Sequence, residues 1–317
     1  MNINTKENPK VLSNYLDYLY RIKNYSLKTI QAYQTDLIIF FKFIIKYLEL
    51  PIRTKDINVF ILANLKSSDI IAFLIFLNYN RNNSPATRKR RVSAIKSFFK
   101  WLFNYYPTFD TKNNPILNLP KINQMYRLPK YLKLEDAIRI QDIFNNSNSR
   151  FYLRNNLIIK LFLNTGMRLS ELININIKDI NLKQKTIYII GKRNKERTIF
   201  LNSSCVSDIT KYLNTRKVLD LNEALFINQF GKRLSEDSIE NICKTAFKLA
   251  GLEEYNFTVH TLRHTAATHL YDYTKDILIV KEFLGHESIS STEVYAHICN
   301  EEVKKAVNSN PLANFKI

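Results

Sequence analysis

Thr186-Ile187-Tyr188-Ile189-Ile190, the polar run Gly191 to Glu196, and Arg197-Thr198-Ile199-Phe200-Leu201 form the stretch that decides the fold. β-Branched and aromatic residues on both sides of a Gly-led polar turn predict a β-hairpin. From Lys133 onward the rest of the chain carries helical periodicity, so this hairpin is its single interruption. The expectation is a mainly α domain with one small β-hairpin or sheet inside it. With 317 residues, 45% hydrophobic content and only 13 Gly plus Pro, the chain is long enough for two such helical domains.

Upstream, Val11 to Ile22 places Leu12, Tyr15, Leu16 and Leu19 on one helical face. Ser26 is a candidate N-cap for a second helix through Ile30, Tyr33, Leu37, Phe40 and Phe41. Ser67-Ser68-Asp69 precedes a third helix through Leu77, and Asn82-Asn83-Ser84-Pro85 caps a fourth with Pro85 at its first position. That fourth helix opens Ala86-Thr87-Arg88-Lys89-Arg90-Arg91 and turns apolar at Ile95, Phe98, Phe99 and Leu102. A cationic first turn opposes the helix dipole unless an anion answers it. Thr87, Arg88, Lys89, Arg90 and Arg91 are therefore candidates to face phosphate. Residues 113–130 hold Pro115, Pro120 and Pro129 with Lys121, Arg127 and Lys130, a basic linker expected to lie extended along a backbone. The organisation expected is an N-terminal helical domain over 1–112, the linker over 113–130 and a second domain over 131–317.

The net charge is +19, from 47 Lys+Arg against 28 Asp+Glu, which asks for a polyanionic partner. Both halves are basic, with 18 cationic residues against 7 acidic in 1–112 and 29 against 21 in 113–317. Two basic domains suit a clamp closing on nucleic acid from two sides better than one domain carrying all the affinity. Leu37 to Leu50 is the most apolar stretch, but its 14 residues include Lys42 and Lys46, too short and too charged to insert in a membrane. Met1 to Lys10 lacks an apolar signal core, and Cys205, Cys243 and Cys299 show no metal or disulfide spacing. These features point to a cytoplasmic, reducing compartment.

The chemistry sits in the second half. Thr165-Gly166-Met167-Arg168-Leu169-Ser170-Glu171 is followed by Ile190-Gly191-Lys192, His260-Thr261-Leu262-Arg263-His264, Leu284-Gly285-His286, and Tyr295 nine residues later. A phosphodiester under attack builds charge on its non-bridging oxygens, and paired guanidiniums answer it with permanently charged forks. A phenol can be the nucleophile that keeps the phosphate covalently. Gly166 is expected to end one helix, and Glu171, three residues after Arg168, to hold its guanidinium from the same helical face. His260 and Arg263 are three apart, so one helix would present both to one phosphate. His264 suits a packing or supporting role. Ser290 and Glu293 carry capping-box spacing just before Tyr295. A metal at His260, His264 and His286 is disfavoured, because no acidic ligand accompanies them and the arginines repel a cation.

This constellation resembles the tyrosine recombinase family, most closely its Xer and phage-integrase-like members. The resemblance implies a two-domain C-shaped DNA clamp, a helical core-binding domain followed by a catalytic domain. It implies an enzyme in which Tyr295 attacks a scissile phosphate to give a 3′-phosphotyrosyl intermediate while Arg168, Arg263 and His286 stabilise the developing charge. Lys192, with cationic neighbours that can lower its pKa, would protonate the leaving 5′ oxygen, and Lys195 is the competing candidate. His260 would handle protons, and Glu171 and His264 would support the site. The bond energy stays in the phosphotyrosine, so no cofactor is implied. The implied partners are double-stranded DNA at a specific site, a homotetramer or a heterotetramer with a related recombinase, and a regulatory protein; the tail beyond Asn300 would dock on a neighbouring protomer. The location follows as nucleoid-associated. Chromosome or plasmid dimer resolution is the expected role, favoured by the absence of an arm-binding domain ahead of residue 8; an integrase of a phage or mobile element and an inactive DNA-binding module are the alternatives.

Overall fold

The computed structural model describes residues 8–109, 114–117, 119, 120, 122, 128–146, 150–190, 196–216 and 220–298. Lys121, Arg127, Lys192, Arg193, Lys195 and the tail beyond Asn300 lie outside them. The chain forms two compact units, Met1–Tyr126 and Arg127–Ile317.

In the first unit, α1 (Lys10–Arg21), α2 (Leu27–Tyr47), α4 (Ser67–Tyr79) and α5 (Pro85–Tyr105) are the four helices read from the sequence. Two starts follow the expected caps: Ser26 Oγ accepts from Thr29 N at 3.3 Å and Ser84 Oγ from Thr87 N at 3.2 Å, with Pro85 opening α5. Ser67-Ser68-Asp69, expected to precede α4, forms its first turn instead, because Asp69 accepts from the Lys66 N–H at 2.8 Å. A fifth helix, α3 (Val59–Ala63), was not anticipated; five residues are too few to show a period, and its start is marked only by Asn58, which accepts from Ile61 N at 3.1 Å. The core is aromatic. Tyr15, Phe40, Phe41, Phe73, Phe98 and Phe99 are fully buried, and Tyr15 keeps its hydroxyl satisfied on Ser97 Oγ at 2.7 Å. Ile116, Leu119 and Ile122 also pack onto this core.

One polar group lies inside it. Asp36, on α2, is 0% exposed and is paired with Arg90 and, at 3.3 Å, with Arg91 on α5. Burial raises the Asp36 carboxyl pKa even with Arg90 and Arg91 beside it. Arg91 is itself buried and also donates to Asn83 Oδ1. The expectation that Arg88 to Arg91 all face phosphate is therefore corrected: a buried carboxylate has to be neutralised, and Arg91 with part of Arg90 is committed to it. Lys89 remains exposed at this end of α5. Asp36→Ala would strand the buried Arg91 charge and should destabilise the chain by about 3 kcal/mol, read as a lower denaturant midpoint at unchanged slope. A midpoint within about 0.5 kcal/mol of wild type would contradict this account of the pair.

The second unit holds the hairpin in a three-stranded antiparallel sheet, β1 (Ile180–Asn181), β2 (Thr186–Ile190) and β3 (Glu196–Phe200), in that order. The register pairs Ile187 with Ile199 and Ile189 with Arg197. Ile187, Ile189 and Ile199 point into the core, while Tyr188 and Phe200 are exposed on the other face. β3 begins one residue before the expected Arg197, and the two-residue β1 is too short to be visible as alternation. Around the sheet lie α6 (Leu134–Arg139), α7 (Tyr152–Thr165), α8 (Leu169–Asn174), α9 (Ser203–Asn214), α10 (Glu236–Leu249), α11 (Val259–Thr274), α12 (Ile277–Leu284) and α13 (Glu293–Ile298). Helix α7 runs through the middle and packs on α9, α10 and α11. Leu157, Ile158, Ile159, Leu161 and Phe162 are its buried apolar residues, and Gly166 ends it with φ +57°. No helix among the described residues is long and apolar enough to cross a membrane.

Candidate active site

Three helix ends converge here: the C-terminus of α7 at Gly166, the N-terminus of α8 at Arg168, and the C-terminus of α12 at Gly285. Arg168 does not share a helical face with Glu171 as the spacing suggested. It is the N-cap of α8, and Glu171 grips it twice, accepting from its backbone N–H at 2.7 Å and from its guanidinium at 2.7 Å. A carboxylate at the third position of a helix satisfies a free N–H and meets the positive end of the dipole, which accounts for the altered placement. Arg168 keeps 37% of its side chain exposed, with its other terminal nitrogen 3.5 Å from the Gly285 carbonyl.

Glu171 is 4% exposed and serves a second guanidinium, that of Arg197 on β3, at 2.9 Å. Burial pushes its pKa up, but Arg197 and Arg168 outweigh this and hold the carboxyl below its ordinary value. In the sequence Arg197 stands only as one more cation near Lys192. It also donates to the Phe283 carbonyl at 3.2 Å and lies against Gly285, where an added Cβ would stand 2.4 Å from its guanidinium. Gly285 also has φ +62°, so glycine is required there twice over.

Arg263, on α11, is 6% exposed and donates to the carbonyls of Gly166 and Leu284 and to His286 Nε2 at 3.0 Å. Burial, then Arg168, lower its pKa to about 10, which leaves it charged at neutral pH. A guanidinium only donates, so His286 Nε2 is the acceptor and its proton sits on Nδ1, which donates to Thr292 Oγ1 at 3.0 Å. Burial, with Arg263 and Arg168 alongside, lowers the His286 pKa to about 4, in keeping with a neutral ring. Thr292, fully buried, is a positioning residue that the sequence did not single out.

Tyr295 is 1% exposed and packs with Ala267, Val280, Leu284 and Val294. Its Oη lies 2.8 Å from His264 Nδ1. The supporting role expected of His264 thus becomes a direct contact with the nucleophile's oxygen. His260 stands exposed in the first turn of α11, while Arg263 and His264 turn inward. The capping box expected from Ser290 to Glu293 is not what opens the last helix: residues 289–291 form a 3₁₀ turn and α13 begins at Glu293. Thr292 takes the place beside the helix start, its carbonyl accepting from Tyr295 N at 3.0 Å. The structure thus brings Arg168, Glu171, Arg263, His264, His286 and Tyr295 into one connected region. Ile190 pairs with Glu196 across the sheet, and Lys192 and Lys195 fall between them in the sequence, outside the described residues. Lys130 is tied to the Tyr255 carbonyl at 2.8 Å, and the Thr87 hydroxyl lies 3.0 Å from Ser84 Oγ.

The sequence matches the phage integrase family over residues 130–302 and the N-terminal SAM-like domain of phage integrases over 12–104. It is 36% identical to "Tyrosine recombinase XerC" of Caldanaerobacter subterraneus subsp. tengcongensis, covering 96% of this chain and 88% of that protein. It is 30% identical to "Tyrosine recombinase XerD" of Listeria monocytogenes over 93% of this chain and 96% of the relative. Among solved structures, the XerH site-specific recombinase bound to palindromic difH substrate, a post-cleavage complex, aligns at TM-score 0.73 and 26% identity, covering 93% of this chain and 84% of that one. A lambda integrase dimer bound to a COC′ core site aligns at TM-score 0.64 and 18% identity over 90% of this chain and 93% of its own, a likeness of fold. With the family matched over more than half of its length and these relatives along nearly all of it, the chain belongs to the phage integrase family of tyrosine recombinases.

Proposed function

We infer that this chain is a site-specific DNA recombinase of the Xer type, which cuts and rejoins DNA through a 3′-phosphotyrosyl intermediate and a Holliday junction. The observation that carries the reading is the convergence of the Arg168 and Arg263 guanidiniums on the ends of α7 and α12, with the phenol of Tyr295 packed in one cluster with Leu284 of α12. Tyr295 Oη attacks the scissile phosphorus, the P–O5′ bond breaks, and the 5′ oxygen leaves as a hydroxyl. Arg168 and Arg263 stabilise the pentacoordinate charge, and such preorganised donors are usually the largest catalytic contribution. His286, neutral and fixed by Thr292, keeps the Arg263 fork in plane. Lys192 supplies the proton to the 5′ oxygen, with Lys195 as its competitor, and His260 is the proton-handling partner that the family resemblance implies. The domains act as a clamp in which residues 1–112 and 131–317 share the DNA.

The partner is double-stranded DNA, in a tetramer on two sites formed by this chain alone or with a related recombinase, with a regulatory protein setting when exchange occurs. The enzyme acts in the cytoplasm, at the nucleoid. XerC and XerD relatives at 36% and 30% identity support resolution of chromosome or plasmid dimers over mobile-element integration. Trapping SDS-resistant protein–DNA complexes in cells and sequencing the attached DNA tests this. One chromosomal locus with paired inverted repeats is the expected result. Sites at the ends of a mobile element would favour the integrase role, and no covalent complex at all would overturn the enzyme. Binding to the site so found should fall by about a thousandfold or more between roughly 50 and 200 mM salt, because each neutralised phosphate releases counterions. Fluorescence anisotropy reads this directly, and a flat response would contradict a footprint shared by two basic domains.

A further inference from the structure

Resting on that reading, we propose that His264 is the base that receives the Tyr295 phenol proton during cleavage and returns it during rejoining. His264 Nδ1 is 2.8 Å from Tyr295 Oη, hydrogen-bond distance for direct transfer. The contact is built rather than incidental. Tyr295 is 1% exposed with its ring fixed among Ala267, Val280, Leu284 and Val294, and the two rings meet at 5.8 Å with a 45° tilt. His264 sits on α11 beside Arg263, so the element that presents the guanidinium also presents the acceptor. His260, to which the family resemblance gives the proton, is exposed one turn earlier on the same helix, and His264 takes that part in its place.

In the balanced step, the Oη–P bond forms as the Oη–H bond breaks and His264 Nδ1 takes the proton, giving an imidazolium. The P–O5′ bond breaks and the 5′ oxygen takes a proton from the acid, Lys192. In rejoining, the 5′ hydroxyl attacks phosphorus and gives its proton back to the neutral Lys192 amine as the O5′–P bond forms, the Oη–P bond breaks, and the imidazolium protonates Oη. The surroundings keep the resting ring neutral: burial first, then the charges of His260 and Arg263, lower the His264 pKa. Facing it are His260 and Arg263 from α11, His286 after α12 and Tyr295 on α13. The cations of α7 are engaged elsewhere, Arg154 on the Ile227 carbonyl and Lys160 on Asp208. A base with a depressed pKa holds its proton poorly in the resting site, and the incoming phosphate supplies the negative charge that stabilises the imidazolium. Cleavage is thus supported above the depressed His264 pKa and lost as pH falls through it.

Single-turnover cleavage of a nicked duplex carrying the enzyme's own site tests this, with wild type, His264→Gln, His264→Asn and His260→Gln compared from about pH 4.5 to 9. His264→Gln and His264→Asn should each cut about a hundredfold or more slowly at neutral pH and lose the acidic limb of the rate profile, while binding the duplex as wild type does. Asparagine can place an acceptor oxygen near the Nδ1 position, so its failure separates proton transfer from mere positioning. ¹⁵N NMR of the histidines in the intact chain should show His264 protonated on Nε2, with Nδ1 an acceptor whose resonance moves in Tyr295→Phe. The proposal is overturned if either His264 variant keeps the wild-type rate and profile, cuts faster, or if the acidic limb is lost only in His260→Gln. It is overturned equally if NMR finds the proton on Nδ1, a readout that holds even if a variant folds poorly. A wild-type enzyme that forms no covalent complex would instead defeat the recombinase reading.

Discussion

Tyr295→Phe is expected to abolish covalent attachment to DNA while leaving binding unchanged. Incubated with a nicked suicide duplex carrying the site, wild type should accumulate an SDS-resistant protein–DNA species, because the fragment bearing the 5′ hydroxyl diffuses away and rejoining stops. Phenylalanine fills the same pocket between Val280, Leu284 and Val294, so the loss is chemical and not structural. What disappears is the nucleophile and one hydrogen bond to the half-buried His264, a change of about 1 kcal/mol in stability. The chain has 18 tyrosines, and this variant isolates one of them. Persistence of the covalent species would mean that another tyrosine attacks, and the assignment of the site would fail with it.

The helices and their caps were legible because the signals are local. Ser26, Ser84 and Pro85 act within four residues of where they stand, and a 3.6-residue period shows over a turn or two. The glycines after α7 and α12 were legible for the same reason. Long-range pairing was not. Nothing near Arg91 indicates that it folds inward, because its partner Asp36 lies 55 positions earlier on another helix. Arg197 looked like one more cation of the hairpin turn; its role follows from strand register, which aims it at Glu171 and the Phe283 carbonyl. The Tyr295–His264 contact joins residues 31 apart through the packing of α13 on α11, whereas the family resemblance implied His260 for the proton. The residue types needed for phosphoryl transfer were therefore readable from composition and order, while the division of labour among them depended on tertiary geometry.

Arg263→Ala should combine the two kinds of loss that Arg168→Ala separates. Arg263 is 6% exposed and holds the carbonyls at the ends of α7 and α12 together with His286. Removing it leaves buried acceptors without donors, a cost of about 3 kcal/mol, read as a lower unfolding midpoint. It also removes a charged fork from the transition state, where loss of a single preorganised donor costs about 10²–10³ in rate. Cleavage should fall by at least about a thousandfold, since a guanidinium supplies two donors and a full charge. Arg168 is 37% exposed and Glu171 retains Arg197 when it is gone, so Arg168→Ala should lose a similar factor in rate for only about 1 kcal/mol in stability. Arg263→Lys keeps the charge but not the planar fork; it should recover part of the stability and little of the rate, because one ammonium cannot reach both carbonyls, His286 and a phosphate oxygen at once. Single-turnover cleavage and denaturant unfolding on the same three variants decide the matter. A full recovery of rate in Arg263→Lys would show that charge alone is needed at this position, and the bidentate role assigned to Arg263 would be wrong.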